Sequence, residues 1–289
     1  MRMKLSRNAV GWLNVVPLLA ILIPFFVVPI CVILAVSFME TDGFGGIFPV
    51  FTLENYTGVF TSSLTFNLYY ETFKFTFLTL IFTAVIGFWI AYFLVFHVRS
   101  KILAMGLFLV CTVPFWTSNI IRMISWIPLL GKEGLINMGL QGTGAIDQPL
   151  EFLLFSPFAV VVAYVHQLTI FMIVPVFNSL SRIDKRVVEA ALDAGASRLD
   201  VMRFVILPMS KSGIALGAIF VVSIVMGDFF VVKVMSGGGT ASVVGAFYED
   251  VGVLQYPSAA ASAILLTIVV MLMVAAILRV VDIRKEISL

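Results

Sequence analysis

The sequence predicts an all-α membrane protein with six transmembrane helices. Three observations carry this. Of 289 residues, 61% are hydrophobic and only 12% charged, whereas soluble domains average about 25% charged. Apolar runs long enough to cross a bilayer as a helix, which takes about 20 residues, recur six times. None of these runs alternates apolar and polar residues with period two, the pattern a membrane β-barrel requires. One transmembrane domain over residues 1–289 accounts for the whole chain.

The first run, Leu13 to Phe38, follows Arg2, Lys4 and Arg7. It has the charge layout of a signal peptide, and Ala35-Val36-Ser37 loosely resembles a cleavage site. Its apolar stretch exceeds the usual 7–15 residues of such a segment, which favours a retained anchor. The second run is Phe75 to Phe96 and the third Ile102 to Ile121. The fourth is Phe152 to Phe177, the fifth Gly213 to Val232 and the sixth Ser258 to Val281. Met39–Thr72 and Arg122–Glu151 are rich in Gly, Pro and aromatics and read as partly ordered caps, with Ile127-Pro128 and the glycines from Gly131 to Gly144 breaking any long helix. Cys31 and Cys111 both lie in apolar runs and read as small hydrophobes rather than a disulfide or metal site. A net charge of +2 without a basic tract gives no basis for nucleic-acid binding.

Charge bias orients the spans. With the N-terminus in the cytoplasm, the inner segments hold Arg2, Lys4, Arg7, Arg99, Lys101, the basic residues from Arg182 to Lys211, and Arg279, Arg284 and Lys285. Only Lys74, Arg122, Lys132 and Lys233 remain outside, together with most of the acidic residues. Both termini are therefore expected in the cytoplasm.

A charged island, residues 179–211, separates the fourth and fifth runs. Asp184 suits an N-cap. Val187, Ala190, Ala191 and Ala194 make a small-residue face at helical spacing, and Gly195 suits a left-handed terminator. Ser197 and Asp200 make a capping-box-like start for a second helix, with Asp in place of the usual Glu or Gln. Leu199, Met202 and Val205 follow as an apolar stripe, and Pro208 is expected to stop that helix. Two readings of this helix–turn–helix stay open: a hairpin lying on lipid headgroups, or a platform on which another protein packs closely.

The island bears a resemblance. Glu189-Ala190-Ala191, Gly195, then Val205, Leu207 and Pro208 resemble the loop that marks permease subunits of bacterial ABC importers, with Val205 where Ile is commoner. Val113-Pro114-Phe115-Trp116-Thr117-Ser118-Asn119-Ile120-Ile121-Arg122, Gly134-Leu135-Ile136-Asn137, Gly227-Asp228-Phe229-Phe230 and Gly237-Gly238-Gly239 look like the spermidine/putrescine-type subfamily. The resemblance implies a type I ABC importer permease fold in which the loop is a coupling helix seated on an ATP-binding subunit. It implies that Glu189 contacts that subunit, that Gly195 sets the turn, and that Ala190 and Ala191 permit close approach. It also implies a dimer of ATP-binding subunits, a second and different permease chain, a periplasmic solute-binding protein, and an inner-membrane location. No Gly-x-x-x-x-Gly-Lys-[Ser/Thr] loop occurs. The chain is thus expected to bind no cofactor and to be no enzyme, with ATP and Mg on the partner ATPase.

Four residues stand out along a transport path: Asp228, Trp116, Arg122 and Phe230. From Gly213 the apolar run reaches only Gly227, about 22 Å at 1.5 Å per residue. The helix is therefore expected to continue past Asp228, leaving a carboxylate in the outer part of the bilayer. That carboxylate either attracts a cationic solute, helped by aromatics such as Phe230, or pairs with Arg122 or Lys233. Trp116 and Trp126 fit an interfacial belt as well as a ligand contact, and Arg122 suits an acidic solute or the periplasmic protein. His166 reads as a helix–helix hydrogen-bond partner, and Glu71 with Lys74 as an i,i+3 ion pair. The expected function is a permease subunit for a small organic solute, a polyamine-like cation first. The alternatives are an importer for an amino-acid derivative, opine or organophosphonate, an ion-driven secondary carrier, or a membrane subunit with no path of its own.

Overall fold

The structure is a computed structural model describing residues 7–281. Arg2, Lys4, Arg284 and Lys285, used above for orientation, lie outside the described residues. Four helices are long and apolar enough to cross a membrane, and two bent helix pairs raise the number to six if each pair is one span. The chain forms two compact units, one of residues up to Thr65 with Phe247–Thr267, the other of Phe66–Ala246 with residues from Ile268 on.

In the first unit, helix α1 comprises Arg7–Leu22, a π turn Ile23–Val27, and Val28–Val36. The π turn ends two residues before Pro29, whose missing N–H and ring would clash with a regular ladder at that point. None of the spanning part of α1 is buried by the chain itself. It ends at Ser37, whose buried hydroxyl meets the Tyr56 hydroxyl at 2.8 Å. A hairpin follows, β1 Met39–Thr41 antiparallel to β2 Ile47–Phe51, with a bulge between Met39 and Glu40. Asp42 shapes its turn by accepting from the Phe44 and Gly46 amides, both at 2.8 Å. Helix α2, Glu54–Thr61, is tied to the strand entry by Asn55, which donates to the Ser37 and Met39 carbonyls, both at 3.0 Å.

Seven further helices belong wholly or largely to the second unit up to the hairpin. These are α3 Ser63–Tyr92, with a π turn Phe93–His97; α4 Lys101–Thr112, with a 3-10 turn Val113–Trp116; α5 Asn119–Leu130; α6 Leu135–Gly142; α7 Pro157–Leu180; α8 Lys185–Asp193; and α9 Arg198–Met209. Then come α10 Lys211–Met226, α11 Phe230–Met235, α12 Val243–Gly252 and α13 Tyr256–Val280. The core is built on α7, whose Tyr164, Leu168, Met172 and Val176 have no exposed surface. Helix α10 packs along it with almost no intervening side chain. A Cβ on Gly213 would lie 2.5 Å from the Pro175 carbonyl oxygen, and one on Gly217 2.5 Å from the Met172 sulfur. From α3, a Cβ on Gly87 would come within 2.8 Å of the same Met172 side chain. Small residues at such crossings let backbones approach, which is how helices gain dispersion contact where lipid supplies no hydrophobic drive. Thr72, Thr76, Thr79 and Thr83 form a buried stripe on α3.

Four elements differ from the sequence expectation. The third run does not cross as one rod. Pro114 ends the ladder in a 3-10 turn, Thr117 is extended, and the chain turns by 93° before α5. The fifth run does not continue past Asp228. Helix α10 stops at Met226 with Gly227 as its C-cap, because the Asp228 carboxylate starts a new helix instead, accepting from the Val231 amide at 2.9 Å. Pro208 does not end α9. Like Pro29, it sits two residues after a π turn, Met202–Ile206, and the bend of 62° falls at Ser210. The second run is longer than expected, starting at Ser63 with the Lys74–Glu71 ion pair inside it at 2.5 Å.

Candidate functional site

The hairpin of α8 and α9 is held by local bonds at each joint. The Asp184 carboxylate accepts from the Arg186 amide at 3.0 Å and caps α8. At the other end the Ala196 amide donates to the Ala191 carbonyl at 3.1 Å and the Gly195 amide to the Leu192 carbonyl at 2.9 Å. These two bonds are the Schellman closure, which needs a left-handed residue between them. Gly195 supplies it at φ +90°, where no side chain crowds the site. A reciprocal capping box then opens α9: the Asp200 amide donates to the Ser197 hydroxyl and the Ser197 amide to the Asp200 carboxylate. Asp in place of Glu reaches because the Ser197 hydroxyl also donates to it, at 2.5 Å. These bonds hold the exposed Asp200 carboxyl below its ordinary range.

Glu189 and Ala190 lie exposed on α8, and Ala191 is half-buried beside them. Leu207 and Pro208 are exposed on the last turn of α9. Val188, Ala191, Met202 and Val205 pack on the core of the second unit. The hairpin thus anchors one face in its own unit and leaves the Glu189–Ala190 face open.

Asp228 sits in the break between α10 and α11, partly buried. One carboxylate oxygen accepts from the Tyr164 hydroxyl of α7 at 3.1 Å as well as from Val231. The Ser242 hydroxyl donates to the Asp228 carbonyl at 3.2 Å, and the following Val243 amide to the Thr72 hydroxyl at 3.1 Å. Among the described residues the ion pairs are Lys74–Glu71 and Lys132–Glu151, so Asp228 pairs with neither Arg122 nor Lys233. Phe230 begins α11 two residues after it, half-buried against the core. Arg122 lies in the first turn of α5, its Nε buried without a partner. Trp116 closes the 3-10 turn and is 83% exposed. Asp228 and Phe230 are brought together; no hydrogen bond or ion pair joins them to Arg122 or Trp116 among the described residues.

His166 accepts from the Trp126 indole N–H at 3.3 Å, a bond between α5 and α7. Both residues line an apolar cavity of about 560 Å³ between α3, α4, α5 and α7, which Asp228, Arg122, Trp116 and Phe230 do not line. Sequence reasoning missed Tyr164 and Ser242. The only hint for Tyr164 was a hydroxyl in an apolar run, which needs a partner once buried. The threonine stripe on α3 was readable by its spacing.

The profile of the family described as "Binding-protein-dependent transport system inner membrane component" matches residues 98–286, which include the hairpin and Asp228. The chain is 33% identical over 266 residues to the "Spermidine/putrescine transport system permease protein PotB" of Escherichia coli (strain K12), covering 91% of this chain and 92% of that protein. It is 31% identical over 275 residues to the protein of the same description from Haemophilus influenzae, covering 94% of each. Its fold is similar to a chain in the crystal structure of a bacterial ABC transporter involved in the import of the acidic polysaccharide alginate, with a TM-score of 0.74 at 16% identity over 95% of both chains. Long apolar helices, a full-length match to permease proteins and a family profile over most of the sequence converge: the chain belongs to the family of binding-protein-dependent transport system inner membrane components and is a multi-pass inner-membrane permease subunit of an ABC importer.

Proposed function

We propose that this permease carries a polyamine-type cation, and that residues 184–209 couple its helices to a separate ATP-binding subunit. The observation that carries the solute class is the partly buried Asp228 carboxylate, hydrogen-bonded but paired with no cation among the described residues. Its support is the near-full-length similarity to permeases described as spermidine/putrescine transporters. A carboxylate in a low-dielectric setting favours a cation over a neutral or anionic solute, and Phe230 beside it adds an aromatic face.

In this reading the whole chain is one permease domain, with both termini in the cytoplasm. It works beside a second permease chain, a dimer of ATP-binding subunits holding ATP and Mg, and a periplasmic solute-binding protein. The hairpin face bearing Glu189 and Ala190 packs on the ATP-binding subunit, with Ala191 seated behind it on the chain's own core, while Gly195 and the Leu207-Pro208 turn fix its angle. ATP shifts the transporter between inward- and outward-open states only through its different affinity for the two. Arg122 and Trp116 then belong to the outer face, near where the solute is delivered.

The test is spermidine uptake by proteoliposomes holding the assembled importer, with the variants Asp228→Asn and Glu189→Lys. Asp228→Asn keeps the acceptor used by Tyr164 and Val231 but removes the charge, so assembly persists and uptake falls at least tenfold. Glu189→Lys releases the ATP-binding subunit on purification. Unchanged uptake kinetics in Asp228→Asn overturn the solute reading, and full retention of the ATP-binding subunit in Glu189→Lys overturns the docking role.

A further inference from the structure

Where the π turn Phe93–His97 meets the hairpin, two cavities of about 460 and 540 Å³ share Tyr92, His97 and Arg198 and so form one groove. Its two ends differ in character. One is apolar and aromatic, with Trp89 and Phe93 on the last turns of a membrane-crossing helix facing Leu199 of α9. The other carries Lys185 and Arg198, with Glu189 as its single acidic side chain. Neither cation has an ion-pair partner among the described residues. His97 lies between the ends, its ring stacked on Phe93 at 5.8 Å.

Trp89 and Phe93 are each more than half exposed although they belong to a spanning helix, and Leu199 is 76% exposed. Apolar surface of this kind is covered in a membrane. The adjoining cations make the groove amphipathic, with a net positive polar end. A basic pocket next to apolar helix surface at a membrane boundary fits an anionic lipid, whose phosphate the cations hold while its chain lies along the aromatics. A neutral lipid gains only the second contact.

We propose that this groove is a binding site for an anionic phospholipid, its phosphodiester on Lys185 and Arg198 and one acyl chain against Trp89, Phe93 and Leu199. The bound lipid bridges the spanning helix α3 to the hairpin, so membrane composition bears on the hairpin's position. The site requires only that α3 crosses the bilayer; it does not depend on the solute or on which face is cytoplasmic.

The test is native mass spectrometry of the detergent-purified, assembled importer titrated with dioleoyl-phosphatidylglycerol or dioleoyl-phosphatidylcholine. The wild type retains phosphatidylglycerol at several-fold lower lipid concentration than phosphatidylcholine, and Lys185→Ala with Arg198→Ala abolishes the difference. Equal retention of the two lipids, or a preference unchanged in the double variant, overturns the proposal. A second measurement needs no variant: phosphatidylglycerol with a diazirine on its acyl chain is crosslinked to the wild-type importer. Adducts on peptides containing Trp89–Phe93 or Leu199 support the site. Adducts confined to other surfaces, as when another subunit fills the groove, overturn it. Neither readout involves solute uptake or release of the ATP-binding subunit, so its failure leaves the proposed function standing, and the reverse.

Discussion

The hairpin of α8 and α9 and the crossing of α7 with α10 are held in opposite ways. In the hairpin each joint is closed by bonds between residues two to five apart, as in the Asp184–Arg186 cap and the Ala191–Ala196 closure. At the crossing, Gly213 and Gly217 meet Pro175, Val176 and Met172, residues about 40 positions away in sequence. Glycine serves both regions for different reasons. Gly195 is needed for its backbone angle, with empty space where a side chain would be. Gly213 and Gly217 are needed for the space itself.

Substitutions separate the two. The largest effect is expected from Gly213→Val. Its Cβ would meet a backbone carbonyl, which cannot swing aside as a side-chain tip does, so the loss should reach or exceed the about 1–3 kcal/mol usual for overpacking. Purification in detergent should give aggregated or dissociated protein, and a monodisperse complex with wild-type Tm would refute the close crossing. A middle effect is expected at Gly195. Alanine there adopts left-handed backbone at about 1–2 kcal/mol, lowering the coupling of ATP hydrolysis to transport while the protein still purifies. Asn, which tolerates that conformation better, should recover part of the loss. Equal behaviour of Ala and Asn would show that the turn's angle is not what matters.

The smallest effect is expected at the Ser197–Asp200 box and depends on pH. Asp200 is held below its ordinary range by Ser197. A carboxyl whose folded pKa is depressed stabilises above its unfolded value and loses that contribution as pH falls through the folded one. Amide hydrogen exchange across residues 197–201, corrected for its intrinsic rate, should therefore speed up as the solution is taken below the usual carboxylate range. Ser197→Ala should flatten that response.

The same contrast governs what was legible in the sequence. Asp184, Gly195, Ser197 and Asp200 could be placed correctly because a cap is a local event, set by residues within one turn. Tyr164 could not be joined to Asp228, since 64 positions separate them and neither neighbourhood names the other. The end of α10 was misjudged for a related reason. Hydropathy runs on through Phe229 to Val232 and does not register that a carboxylate can end one helix by starting the next. The right-angle turn after Trp116 was hidden the same way, because Pro114 lies inside an apolar run of the expected length.

Helix α10 has the hairpin at one end and Asp228 just beyond the other. Only Ser210 separates it from α9, and that residue is fully buried, its amide donating to the Ile206 carbonyl at 3.0 Å and its hydroxyl to the Leu207 carbonyl at 3.0 Å. The two helices therefore make a stiff crank with a fixed elbow. With 16 residues at about 1.5 Å each, its long arm measures about 24 Å. By that length, a turn of the whole crank by about 5° as one body would carry the far tip about 2 Å, enough to break or remake the reach of the Tyr164 hydroxyl.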